Sequence, residues 1–166
     1  MNKIMKKILV SVAGLVVIIL GIIFLSFVAV PREYVAIQKQ EAVLPKAMIP
    51  QVEIAGKTIK VEIADTDAKR ELGLSGHKVL SDDEGMIFIF DKMSKYAFWM
   101  KDMLYPLDLV WINSDMKVVY IKKNAQPDSY PEVFGGDDNA QYVLEVNTGF
   151  SDKNNLKIGD TVKISL

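Results

Sequence analysis

Between Ile8 and Val30 the chain runs for 23 residues without a charge, slightly more than the roughly 20 that a helix needs to cross the hydrocarbon of a bilayer. Lys3, Lys6 and Lys7 precede this run, and the positive-inside bias keeps such residues in the cytoplasm while sending the chain beyond Pro31 across the bilayer. A cleavable signal would need a shorter apolar core and small residues at an A-x-A-like site, whereas the candidate stretch Ser26 to Ala29 offers Phe27 and Val28. The expectation is an uncleaved, single-pass anchor over residues 8–30 in the cytoplasmic (inner) membrane, with residues 1–7 inside. Residues 31–50, which include Pro31, Pro45 and Pro50 and show no sustained period, read as a stalk. An extracytoplasmic domain then occupies residues 51–166.

Charge narrows what that domain meets. The 20 basic residues less Lys3, Lys6, Lys7 and Arg32 leave 16 against 21 acidic ones from Glu33 onward. That balance argues against nucleic acid, which requires a basic footprint. With no cysteine, thiol nucleophiles, disulfides and cysteine-held zinc are excluded. His77 is the sole histidine, which excludes a multi-histidine zinc site within one chain, and no EF-hand-like spacing occurs. No cofactor is expected.

The domain is rich in short β signals. Val52 and Ile54 precede a turn at Ala55-Gly56-Lys57, after which Ile59, Val61 and Ile63 alternate with Thr58, Lys60 and Glu62, the pattern of a hairpin with one buried face. Asp65-Thr66-Asp67 supplies helix-capping chemistry and Gly73 a stop, so one short helix is expected between them. Runs at Met86–Phe90, Tyr96–Met100, Leu109–Ile112, Lys117–Ile121, Tyr142–Val146 and Val162–Leu166 come after it, spaced by turn residues as in a sandwich or small barrel.

Several words of this sequence, in order, resemble the DUF192 family of bacterial and archaeal domains. They are Ala64-Asp65-Thr66 with Arg70-Glu71-Leu72-Gly73-Leu74, Glu84 through Phe90, Phe98-Trp99-Met100-Lys101, Pro106-Leu107-Asp108, Asn124-Ala125 with Pro127, Val143 through Asn147, and Ile158-Gly159-Asp160. The resemblance implies a mainly β, jelly-roll-like sandwich or small barrel with one or two short helices, exported or membrane-tethered, with no settled activity or cofactor. Two words depart from the family pattern: Ser75 stands where Met is usual, and Asp102-Met103 where Asn-Thr is usual.

The densest polar and aromatic constellation is Trp99, Lys101, Asp102, Pro106 and Asp108, flanked by Trp111. Read as a site, it sets an indole platform and a carboxylate around a polar ligand such as a cell-envelope carbohydrate. Read as packing, both tryptophans fill the core and Asp108 caps a turn, which the large area an aromatic buries favours. Glu145 interrupts an apolar strand, with Val143 on its own face and Leu144 and Val146 on the other. A buried carboxylate there needs a partner, and Arg70 or Lys101 qualifies. Arg70 either binds an anion or clamps its helix to the barrel. Asp108 and Glu145 together would suit the two-carboxylate device of glycoside hydrolysis. His77 has no assigned nucleophile beside it. Phe134-Gly135-Gly136-Asp137-Asp138-Asn139 reads as a solvated turn, and Gln126 to Phe134 as a lid. These residues lead to a non-catalytic small-ligand or accessory domain, with a carboxylate hydrolase or a structural partner of an envelope protein as alternatives.

Overall fold

The computed structural model describes residues 49–135 and 137–166. The apolar run 8–30 and nearly all of the stalk lie outside the described residues; among those described, no helix is long and apolar enough to cross a membrane.

The domain begins with a hairpin, β1 (Gln51–Ile54) and β2 (Lys57–Ala64). Its two turn residues, Ala55 and Gly56, both take positive φ, the geometry that two-residue hairpins require. Next comes α1 (Asp67–Leu72), capped by the Thr66 hydroxyl, which accepts from the Lys69 amide, and ended at Gly73 with φ 49°. The chain continues through β3 (Glu84–Ser94), β4 (Ala97–Trp99), β5 (Leu107–Ile112) and β6 (Val118–Ala125). A single 3-10 turn (Pro127–Ser129) leads to β7 (Val133–Gly135) and β8 (Ala140–Asn147). The short helix α2 (Phe150–Lys153) and β9 (Val162–Ser165) complete it.

Seven strands form one sheet in the order β6-β5-β8-β3-β2-β1-β9. All pairs are antiparallel except β2 with β3. A parallel pair needs a crossover of a dozen or more residues, and residues 65–83, which carry α1, supply it. The sheet's right-handed twist brings its two ends together: Lys117 bridges Thr161, and the Val118 amide donates to the Asp160 carbonyl at 3.0 Å. The result is a mainly β, curled half-barrel with two short helices. Of the jelly-roll-like sandwich or small barrel expected, the mainly β, curled sheet with two short helices agrees with the barrel in part, and the sandwich gives way, because the second sheet is only the two-stranded ribbon β4-β7.

The curl separates two apolar layers. Val52, Ile59, Ile87, Val110, Leu144 and Val162 belong to the inner one, to which all seven strands contribute. Met86, Phe88, Leu109, Trp111 and Val143 belong to the outer one, closed over by Leu74, Met100, Tyr105 and Phe134 from the crossover, the β4-β5 connection and the ribbon. At Gly85 a Cβ would stand 2.6 Å from the Glu145 carbonyl, so glycine permits the close approach of β3 to β8.

Candidate functional site

Alternation along β8 decides where its acid points. Glu145 lies opposite Met86 on β3 and Leu109 on β5, all three on the outer face. Here Phe88, Phe90, Tyr96, Phe98 and Trp99 wall a cavity of about 360 Å³ that Glu145 also lines. That volume lies within the range of small-molecule sites. The rings interlock: Phe98 meets Phe88 edge-on at 4.8 Å and Trp111 at 5.6 Å, and Phe90 stacks on Tyr96 at 3.5 Å. Trp99 stands at the edge of this group, half exposed at 49 %, its ring edge-on to Tyr130 at 6.1 Å.

Glu145 is 4 % exposed. Among the described residues its Oε2 has no hydrogen-bond partner and no cation pairs with it. Burial strips water from the charged form and pushes its pKa from the ordinary 4.5 up to about 8, so at neutral pH it is mostly a carboxylic acid. The expectation that Arg70 or Lys101 would pair with it is corrected. Arg70 Nη1 donates to the Ile89 carbonyl at 2.6 Å and Nη2 to Asp67 at 2.7 Å, with the guanidinium 5.2 Å from the Phe90 ring centre. Those bonds clamp α1 to β3. Lys101 lines the cavity but makes no ion pair among the described residues. Tyr105, which sequence reasoning did not single out, is buried, and its hydroxyl has no partner among the described residues. Its pKa is raised by burial first and by the charges of Glu145 and Glu62 second.

Asp108 lies elsewhere. It pairs with Val146, so its side chain takes the inner face, opposite to Glu145. It is fully buried, and its oxygens accept the backbone amides of Asn124 at 2.9 Å, Gly149 at 3.3 Å and Ser151 at 2.8 Å. It fastens the start of α2 to the sheet rather than capping the turn after Pro106. The sheet itself separates Asp108 from Glu145, and they do not form a two-carboxylate pair. Asp102 is exposed at a turn with φ 57°, outside the cavity lining, and its carbonyl accepts from the Gly76 amide at 3.1 Å.

The two tryptophans part company. Trp111 is core, its Nε1 donating to the Tyr96 carbonyl at 2.8 Å, while Trp99 borders the cavity. The glycine-acid loop begins within β7, whose Phe134 pairs with Phe98. The segment expected to act as a lid touches the site through Tyr130. His77 Nε2 stands 3.7 Å from Glu62, in a separate depression with Met86 and Leu72. No cluster of metal ligands occurs among the described residues.

Comparison with known proteins agrees with the resemblance read from the sequence. Residues 50–164 match the DUF192 family, described as "Uncharacterized ACR". A solved structure from Sinorhizobium meliloti 1021, described as a "putative transcription regulator", is 29% identical with a TM-score of 0.64, over 69% of this chain and 91% of that one. A protein of unknown function from Novosphingobium aromaticivorans DSM 12444 is 31% identical with a TM-score of 0.63, over 73% of this chain and 90% of that one. No curated protein matches the chain.

Proposed function

The chain belongs to the DUF192 family, and we propose that it is a membrane-anchored, extracytoplasmic module that binds a small polar ligand, a cell-envelope carbohydrate, without transforming it. One observation carries this reading: an unpartnered carboxyl, 4 % exposed, lines an aromatic cavity. Leaving a buried polar group without a hydrogen bond costs roughly 1–3 kcal/mol, a cost that a ligand supplying the missing bond would offset. The half-exposed Trp99 adds a flat apolar face against which the C–H side of a sugar ring can lie. The anchoring half of the proposal rests on the apolar run 8–30 and the lysines before it.

The Sinorhizobium structure is described as a "putative transcription regulator". The excess of acidic over basic residues from Glu33 onward speaks against carrying that to this chain, because phosphate binding depends on a basic surface.

A thermal-shift screen of the full-length chain in detergent, against mono- and oligosaccharides, divalent ions and small anions, tests the proposal, since a ligand of the native state raises the midpoint by mass action. A saturable rise with a saccharide, lost in a folded Trp99→Ala variant, is the expected result. A flat response to every saccharide would overturn it.

A further inference from the structure

Resting on the carbohydrate-binding reading above, we propose that the cavity takes its ligand through the O–H of a protonated Glu145, so that it selects an uncharged saccharide over the corresponding cationic amino sugar and releases it when that proton is lost. Three features carry this. First, the carboxyl is bare: among the described residues neither of its oxygens has a hydrogen-bond partner, Oε2 being wholly buried, and its strand neighbours Met86 and Leu109 offer it no side-chain oxygen or nitrogen. A bare carboxylic acid offers one donor and one acceptor on adjacent atoms, a match for a sugar hydroxyl, which also both donates and accepts.

Second, the charges that share the cavity discourage a cation. Arg70 from α1 and Lys101 from the turn after β4 both line it, with Glu71 and the Tyr96 hydroxyl as the remaining titratable groups on the wall. Tyr105 is buried close enough to feel the Glu145 charge, and Glu62 acts on Tyr105 in turn. An ammonium entering here meets the charges of Lys101 and of Arg70, the latter paired with Asp67, against the single acid Glu71, and has to draw on the minor, ionised form of Glu145. With the pKa near 8, that form is about a tenth of the population at pH 7, so a ligand that needs it loses about tenfold in affinity. Third, Arg70 is already committed to Ile89 and Asp67, leaving Glu145, Lys101 and Glu71 as the charged or acidic side chains on the wall that make no hydrogen bond or ion pair among the described residues.

Calorimetric titration of the full-length chain in detergent with glucose, N-acetylglucosamine and glucosamine, at pH 6, 7 and 9.5, reads the proposal directly. Glucose and N-acetylglucosamine carry no charge across that range, so a change in their affinity reports the protein. Expected is binding of an uncharged sugar at pH 6 and 7, at least tenfold weaker binding of glucosamine at pH 6, and a fall of roughly thirtyfold between pH 7 and 9.5 for a group titrating near 8. Glu145→Gln, which keeps a donor and an acceptor but cannot ionise, should lose the pH dependence, its affinity at pH 9.5 matching its own affinity at pH 7. Affinity for the uncharged sugar that is flat with pH in the wild type, or glucosamine binding as tightly as the others, overturns the inference while leaving the carbohydrate site standing. Absence of binding by any of the three sugars overturns both.

Discussion

At the residue scale, two buried acids on neighbouring strands have opposite fates. Asp108 receives three backbone amides and is an internal cap; Glu145 receives none and is a carboxylic acid at neutral pH. Asp108→Asn turns one acceptor into an N–H donor facing other donors and should cost on the order of 2–3 kcal/mol, measured by urea unfolding at pH 7, with no effect at the cavity on the other face. For Glu145 the sign is that of an acid whose folded pKa is raised. Its contribution to stability is fully present below the unfolded value of 4.5 and is lost as pH rises toward the folded value of about 8. Glu145→Gln should remove that slope, leaving the variant more stable than the wild type at pH 9 by on the order of 3–5 kcal/mol. The sequence could flag Glu145, since an acid within Val143-Leu144-Glu145-Val146 is anomalous. It could not say that both cations lining the cavity would leave it unpaired, because the partners of Arg70 are a backbone carbonyl and an acid on its own helix.

At the element scale, the ribbon β4-β7 forms the aromatic wall over the outer face. Only three residue pairs join its strands, so its attachment depends on packing, and Gly135 is the tightest point. A Cβ there would stand 2.5 Å from the Trp111 ring, at a φ of +76° that side chains rarely adopt. Gly135→Ala is expected to cost about 1–3 kcal/mol through strain and overpacking, read as a lowered unfolding midpoint with a changed tryptophan emission. The hairpin β1-β2 and the helix α1 were legible because their signals are local: a two-residue turn, a Thr cap and a Gly stop. β7 and α2 were not. A three-residue strand has too few alternations to show a period, and a four-residue helix depends here on the Asp108 carboxylate, whose reach spans 43 positions to Ser151.

At the scale of the molecule, the half-barrel is held by pairing on both sides of its inner strands and by the backbone contacts between its ends. β8 lies between β5 and β3, whereas β4 and β7 pair only with each other. Hydrogen exchange should therefore find the β8 amides protected at least ~100-fold more than those of the ribbon; equal protection would mean that the ribbon and sheet open as one unit. Short alternating strands announced a mainly β domain, but the parallel pairing of β2 with β3 and the curl that joins β6 to β9 are long-range choices. The first depends on the crossover that carries α1 and the second on the bridge from Lys117 to Thr161.

Ligand binding at the cavity, as proposed, depends on Glu145 being a protonated, unpartnered carboxyl beside the aromatic wall. Carboxyl-carbon NMR of glutamate-labelled protein, with Glu145→Gln to assign the resonance, reads that state without a ligand. The expected midpoint is near 8, moved upward when an uncharged saccharide is bound. A midpoint near the ordinary 4.5 would contradict the proposal, since the carboxylate would then be solvated or paired and the O–H donor would not exist at neutral pH.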